Sequence, residues 1–222
     1  MELFFQTMWR VLRDYRGEIW DAFLLTVQLS VICEIAALAL GLLVGIARLR
    51  GNATVRSVAA GYVEFFRDTP FLVQLFWFYF AMPGLGVTLD NYTTALIAVT
   101  LYIGSYKAEI FRAGIQAVPR GQMMAARGLG MPYNLAMRRI VVPQAVRKMI
   151  PPFMSSFINL IKSTSFCSTI GVTELTFKGY YIAETTFHSM EVLTAIAIIY
   201  FMLIYPMNLW VARLEVRLAT RD

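Results

Sequence analysis

Residues 124–143 read MAARGLGMPYNLAMRRIVVP, and the fold of the chain turns on this segment. It carries three arginines (Arg127, Arg138 and Arg139) and no acid, in the middle of a chain that is 58% hydrophobic. Gly128 and Gly130 punctuate it, Pro132 restarts it and Pro143 closes it. Glycine suits the left-handed residue that follows a helix, and proline suits the first turn of the next one. The spacing predicts two short helices, over residues 122–129 and 132–141, meeting at a sharp bend near Gly130.

Outward from that bend the chain is a membrane protein. A soluble domain is about 45–50% apolar. At 58% hydrophobic with a mean hydropathy of +0.60, the 222 residues read as one integral membrane domain, 1–222. No cleavable signal peptide is expected, because residues 1–15 carry arginines and acids where a short apolar core is needed. The two cysteines, Cys33 and Cys167, each sit inside an apolar run with no metal-ligand spacing, so neither a disulfide nor a metal site is expected. The net charge of +6 is attributed to loops at the membrane surface, not to nucleic acid.

Five spans are expected: 22–47, 57–83, 92–117, 149–166 and 192–212. The second is interrupted by Glu64, Arg67, Asp68 and Pro70, and its uncharged remainder is too short to cross alone. The fourth contains Pro151, Pro152 and Lys162. Residues 167–190 read as a mixed connector, too polar to face lipid. Ahead of the first span, Phe4, Phe5, Met8, Val11, Leu12 and Tyr15 recur at helical spacing, which fits an amphipathic helix over 1–18 lying in the membrane interface. A frayed terminus is the equal alternative.

Lys and Arg set the orientation, since cytoplasmic loops carry the excess. With the amino terminus outside, the cytoplasmic segments 48–67, 118–148 and 213–222 hold thirteen of them, closing with Arg213, Arg217 and Arg221. The other side holds four: Arg10, Arg13, Arg16 and Lys178. That excess assigns the 118–148 segment and the carboxyl terminus to the cytoplasm.

The segment resembles the EAA loop of the permease subunits of bacterial ABC importers. Its pattern is Glu-Ala-Ala, three residues, Gly, nine residues, Ile, one residue, Leu-Pro. Ala125, Ala126, Gly130, Ile140 and Pro143 stand at the matching positions, with Met124 in place of the Glu and Val142 in place of the Leu. The first departure removes a charge that could hold the loop or meet the ATPase. Residues 62–70 (YVEFFRDTP), 108–122 (AEIFRAGIQAVPRGQ) and 170–175 (IGVTEL) resemble signatures of polar amino-acid permeases of the histidine/glutamate/glutamine/arginine/opine type.

The resemblance implies an all-α integral membrane protein with the ABC type I importer permease fold: five transmembrane helices plus the amino-terminal interfacial helix. It implies residence in the bacterial inner membrane. Two permease subunits, identical or paralogous, would form the path. A dimer of ABC ATPase subunits would grip the coupling loops 118–148. A periplasmic or surface amino-acid-binding protein would deliver substrate, and membrane lipid would surround the whole. The chain would bind no cofactor, the ATP residing on the partner ATPase.

The resemblance thus implies a transport subunit, and no enzyme activity is expected of the chain itself. No G-x-x-x-x-G-K-[ST] phosphate loop and no Ser/His/Asp arrangement is read, and the single histidine, His188, is expected to be a solvated residue of an external connector. Charged groups within spans are costly and face a cavity or a partner. Glu109 and Arg112, three apart on a helix, can pair. Lys162 has no neighbour of opposite charge. Lys162 and the hydroxyls of Ser163, Thr164 and Ser165 are therefore expected to line the substrate path and meet an amino acid's carboxylate, with Glu109 meeting its ammonium. The alternative is that they tie helices together or seal a subunit interface. Glu34 is expected to serve packing or the pore rim. Relatives often read Lys-Asp-Thr-Ser where this chain reads Lys162-Ser163-Thr164-Ser165, which favours acidic or amide side chains over cationic ones. A permease for cationic amino acids, and a membrane assembly protein that transports nothing, are the alternatives. Thr69-Pro70 marks a break in the second span, either a functional hinge or a plain kink.

Overall fold

The computed structural model describes residues 1–219; Arg221, counted above among the closing arginines, lies outside them. Helices account for nearly all of it. In order they are α1 (Glu2–Asp14), α2 (Arg16–Arg50), α3 (Ala53–Asp68), α4 (Phe71–Phe76), α5 (Asn91–Gln116), α6 (Arg120–Gly128), α7 (Tyr133–Ala136), α8 (Val142–Thr164), α9 (Leu175–Thr186) and α10 (Ser189–Ala219).

The spine is the contact between α2 and α5. Ala37, Gly41 and Gly45 recur every fourth residue on one buried face of α2. Small residues at that spacing let two backbones approach closely. A Cβ placed on Gly41 would lie 2.4 Å from Lys107 Cβ and 3.0 Å from Ala108 N. The two helices run the same way, with Cys33 beside Leu96 near one end and Arg48 against Glu109 near the other.

Between them the chain returns through a broken pair. Thr69 and Pro70 are extended, separating α3 from α4, so the break read from sequence is real. Proline cannot donate, and the turn leaves carbonyls open. Gln74 of α4 fills them: its Nε2 donates to Phe66 O at 3.0 Å, Thr69 O at 3.1 Å and Thr69 Oγ1 at 2.6 Å. α4 continues into a π turn, Trp77–Ala81, and a 3-10 turn, Met82–Leu85.

Several expectations are revised. The amino-terminal helix stops at Asp14 instead of running to residue 18, and Arg16 already belongs to α2. Its Val11, Leu12 and Tyr15 pack on protein, in a cluster with Ile19, Leu175, Ile182, Val192 and Ile196. The connector expected over 167–190 contains α9, capped by Glu174, whose side chain accepts from Phe177 N at 2.9 Å. Leu175, Gly179, Ile182 and Ala183 form its buried face. Lys178, Tyr180, Tyr181 and Glu184 on the other positions lower its mean hydropathy, which hid the helix. Pro143 does not close the loop. α7 passes through a π turn, Met137–Val141, straight into α8, where Pro143 occupies the first turn and needs no donor. The helix that carries the fourth expected span therefore starts at Val142 and not at 149.

Among the described residues, two helices are long and apolar enough to cross a membrane by length and composition, α2 and α10. α5 has 26 residues and α8 has 23, enough at a rise of about 1.5 Å per residue to span about 30 Å. Their charges and prolines mask them in a hydropathy profile.

Candidate functional site

Two features stand out along α8, a cavity on one half and a folded knob at the other end. The cavity, about 440 Å³, lies between facing stripes of α5 and α8. α5 contributes Tyr102, Ile103, Tyr106 and Ile110; α8 contributes Pro152, Ser155, Ser156, Asn159, Lys162 and Ser163, and Phe166 follows. Both sets repeat at three and four residues, the spacing of one helix face. The volume lies within the range of small-molecule sites, about 300–1,000 Å³.

Lys162 is the only charged residue in that wall, which holds no carboxylate. Its ammonium has no ion pair among the described residues. Ser163 Oγ donates to Asn159 O at 2.9 Å, leaving its oxygen able to accept. Ser156 Oγ is buried in the wall with no hydrogen-bond partner. A buried hydroxyl without a partner is costly and points to a ligand or water completing it. Tyr102 and Tyr106 join hydroxyls at 3.2 Å.

The expected site residues are thus divided. Lys162 and Ser163 line the cavity together. Thr164 does not: it is fully buried, and its hydroxyl donates to Ile161 O at 2.8 Å. Nor does Glu109. Arg48 Nη1 reaches its Oε2 at 2.7 Å, and Arg112 grips both carboxylate oxygens, with its Nε 3.0 Å from Oε2. The pairing with Arg112 is the one expected from their spacing. Glu109 faces a neighbouring cavity of about 240 Å³ with Ala113, Ala117 and Lys148. A carboxylate already held by two guanidinium groups has little to offer a substrate ammonium. Ser155, Ser156, Asn159, Tyr102 and Tyr106 escaped sequence reasoning. Stepping back from Lys162 by three and four residues along the helix would have found the first three.

The pairing of a buried charge, Lys107, also escaped it. Lys107 is wholly inaccessible; its Nζ lies 2.7 Å from Glu34 Oε1 and 3.2 Å from Phe153 O, with the Phe153 ring centroid at 5.2 Å. One ammonium therefore ties α2, α5 and α8 together beside Pro151 and Pro152.

The knob is α6, a tight turn and α7. Gly130 adopts φ +80°, where a glycine is at ease and other L-residues are strained. Around it Leu129 N donates to Ala125 O at 3.1 Å, Gly130 N to Arg127 O at 3.0 Å and Met131 N to Ala126 O at 3.1 Å, which satisfies three of the carbonyls in the last turn of α6. Ala126 is buried, while Ala125 and Gly130 are exposed. Ile140 is half-buried and Pro143 exposed. Met124 and Leu129 project into solvent at 68% and 84% exposure. The knob's root is fixed by a cluster of Val118, Val141, Ala145 and Met149, with Met123 and Met137 against it. Arg50, at the end of α2, lies over the Tyr133 ring at 6.0 Å. Such a body is rigid internally, carries apolar and basic groups outward, and is continuous with the helix that lines the cavity.

Comparison with known proteins gives a consistent picture. Residues 37–220 match the family model described as "Binding-protein-dependent transport system inner membrane component". The chain is 35% identical over 208 residues to the "Probable glutamine ABC transporter permease protein GlnM" of Bacillus subtilis (strain 168), covering 94% of this chain and 96% of that one. It is 33% identical over 196 residues to the "Glutamine transport system permease protein GlnP" of Escherichia coli (strain K12), covering 87% and 90%. Among solved structures it is similar to a chain of the "Crystal structure of an amino acid ABC transporter with histidines", with a TM-score of 0.88 and 31% identity over 93% of this chain and 96% of that one.

Proposed function

This chain belongs to the binding-protein-dependent transport system inner membrane component family, as the permease subunit of an amino-acid ABC importer, and from that premise we propose that it carries polar amino acids with an acidic or amide side chain. The permease role is non-catalytic; ATP hydrolysis belongs to the partner ATPase. The observation that carries the substrate reading is the cavity with Lys162 as its lone charge and no acid in its wall. Lys162 would meet the carboxylate common to all amino acids. Ser155, Ser156, Asn159 and Ser163 would hydrogen-bond an amide or a second carboxylate. A cationic side chain would meet only Lys162 and neutral dipoles there, and like-charge repulsion disfavours it. The names of the glutamine permeases among the relatives support the amide reading. The histidines named with the structural neighbour keep the cationic reading as the alternative. Glu109 is left out of the substrate role, since two arginines already hold it.

Coupling is assigned to the 118–148 segment. In this reading the exposed knob sits on an ABC ATPase dimer, with Ala125, Ala126, Gly130, Ile140 and Pro143 giving it shape and Met124 facing the partner without a charge. A second permease subunit completes the path, a binding protein delivers substrate to the face opposite the knob, and the amino terminus lies on that outer side. The continuity of the knob with α8, which also lines the cavity, supports transmission of ATPase closure to the substrate path.

The test is uptake of labelled amino acids by cells holding the matching ATPase and binding protein. Loss confined to glutamine, glutamate or aspartate when this chain is deleted is the expected result; loss confined to arginine or histidine selects the alternative. Lys162→Met is expected to raise the half-saturating substrate concentration at normal expression, and an unchanged value discards its role. Gly130→Val is expected to abolish transport or ATPase co-purification while leaving the chain inserted.

A further inference from the structure

A groove of about 460 Å³ runs between the first turns of α2 and the middle of α10, far along the chain from the cavity and the knob. Leu12, Ile19, Phe23, Ile199 and Met202 make it an apolar slot, and the exposed Arg16 and Trp20 complete its wall. Trp20 and Phe23 stack at 5.5 Å between centroids. We propose that this groove holds an acyl chain of an anionic phospholipid, with Arg16 meeting the lipid's phosphate.

Three observations point to that occupant. The chain is an inner-membrane component, so an open apolar slot on its outside has hydrocarbon as its solvent. Exposed Met202 and Trp20, at 67% and 58%, suit acyl chains and the headgroup boundary, where tryptophan is enriched. The charge is complementary: Arg16 is the one charged residue of the groove wall, and among the described residues its side chain has no hydrogen bond or ion pair. Arginine's planar fork suits phosphate oxygens.

The experiment uses the permease–ATPase complex in detergent, titrated with phosphatidylglycerol or phosphatidylcholine of identical acyl chains, and counts bound lipids by native mass spectrometry. One basic side chain at a membrane surface gives an expected preference of about five-fold for the anionic lipid. Arg16→Gln is expected to equalise the two lipids without weakening phosphatidylcholine binding. Phe23→Trp, which fills the slot, is expected to weaken both. Equal binding to the wild type, or a preference that persists in Arg16→Gln, overturns the proposal. So does a photo-crosslinker at position 202 that captures a protein subunit instead of lipid.

Discussion

Replacing Lys107 by methionine tests whether the buried ion pair is a structural joint. The ammonium is fully buried, 2.7 Å from Glu34 Oε1 and 3.2 Å from Phe153 O. Glu34 Oε2 already lacks a partner. Lys107→Met keeps most of the side chain's volume, so little cavity forms, but it strands a carboxylate whose side chain is only 16% exposed. Breaking a buried pair from one side costs about 3–5 kcal/mol. Replacing both partners removes the desolvation penalty along with the attraction, so Lys107→Met with Glu34→Leu should fall within about 1 kcal/mol of wild type, or above it. The coupling between the two changes is then about 3 kcal/mol or more. The assay is a double-mutant cycle on thermal melts of the purified permease–ATPase complex, where the single mutant should melt on the order of 10 °C lower. If Lys107→Met melts like wild type, or the double mutant is as unstable as the sum of the singles, the pair is not the joint described. Uptake by the double mutant then reads a separate question, whether the charge itself matters to transport.

Gly41→Ala should destabilise by about 1–3 kcal/mol, because its methyl meets the α5 backbone and cannot be accommodated by a side-chain rotation alone. The matched Gly61→Ala, with nothing within 4 Å, should be neutral or stabilising in the same melts. Phe187 holds φ +59° while 91% exposed, so Phe187→Gly should raise stability by about 1 kcal/mol through relief of backbone strain, seen as a higher melting temperature. Asp90 caps α5 by accepting from Thr93 N at 3.0 Å, and the Thr93 hydrogen bonds hold its carboxyl below the usual 3.8. A depressed carboxylate contributes stability above its unfolded value and loses it as pH falls through the folded one. Asp90→Asn should therefore flatten the acid limb of a stability–pH curve below about pH 4.

The knob was legible because its determinants are local. Gly130, Pro132 and the basic run fix a turn within a few residues, and the structure places the bend at Gly130. The broken second span was legible for the same reason at Thr69-Pro70, although the role of Gln74 in mending it was not. What failed to show was anything set by partners distant in sequence. Lys107 and Glu34 are 73 residues apart, and only the close approach at Gly41 brings them together. Glu109 was given a ligand role beside its possible pairing with Arg112 because Arg48, 61 residues away, cannot be seen beside it in a string. α9 was lost because its buried face is narrow and its polar face dilutes any average. Lys162 was found by its cost in a span, whereas the serines and Asn159 beside it are unremarkable one at a time and become a wall only when wound onto α8.

The placement of charge has a consequence for how the protein is made. α2 leaves the ribosome well before α5 and carries Glu34 and Arg48, the counter-ions that Lys107 and Glu109 find in the finished structure. A segment bearing Lys107, Glu109 and Arg112 inserts poorly on its own, and an α2 already in the bilayer would offer it the compensating charges. Neutralising Glu34 would then reduce the yield of inserted chain before any effect on the folded protein is felt.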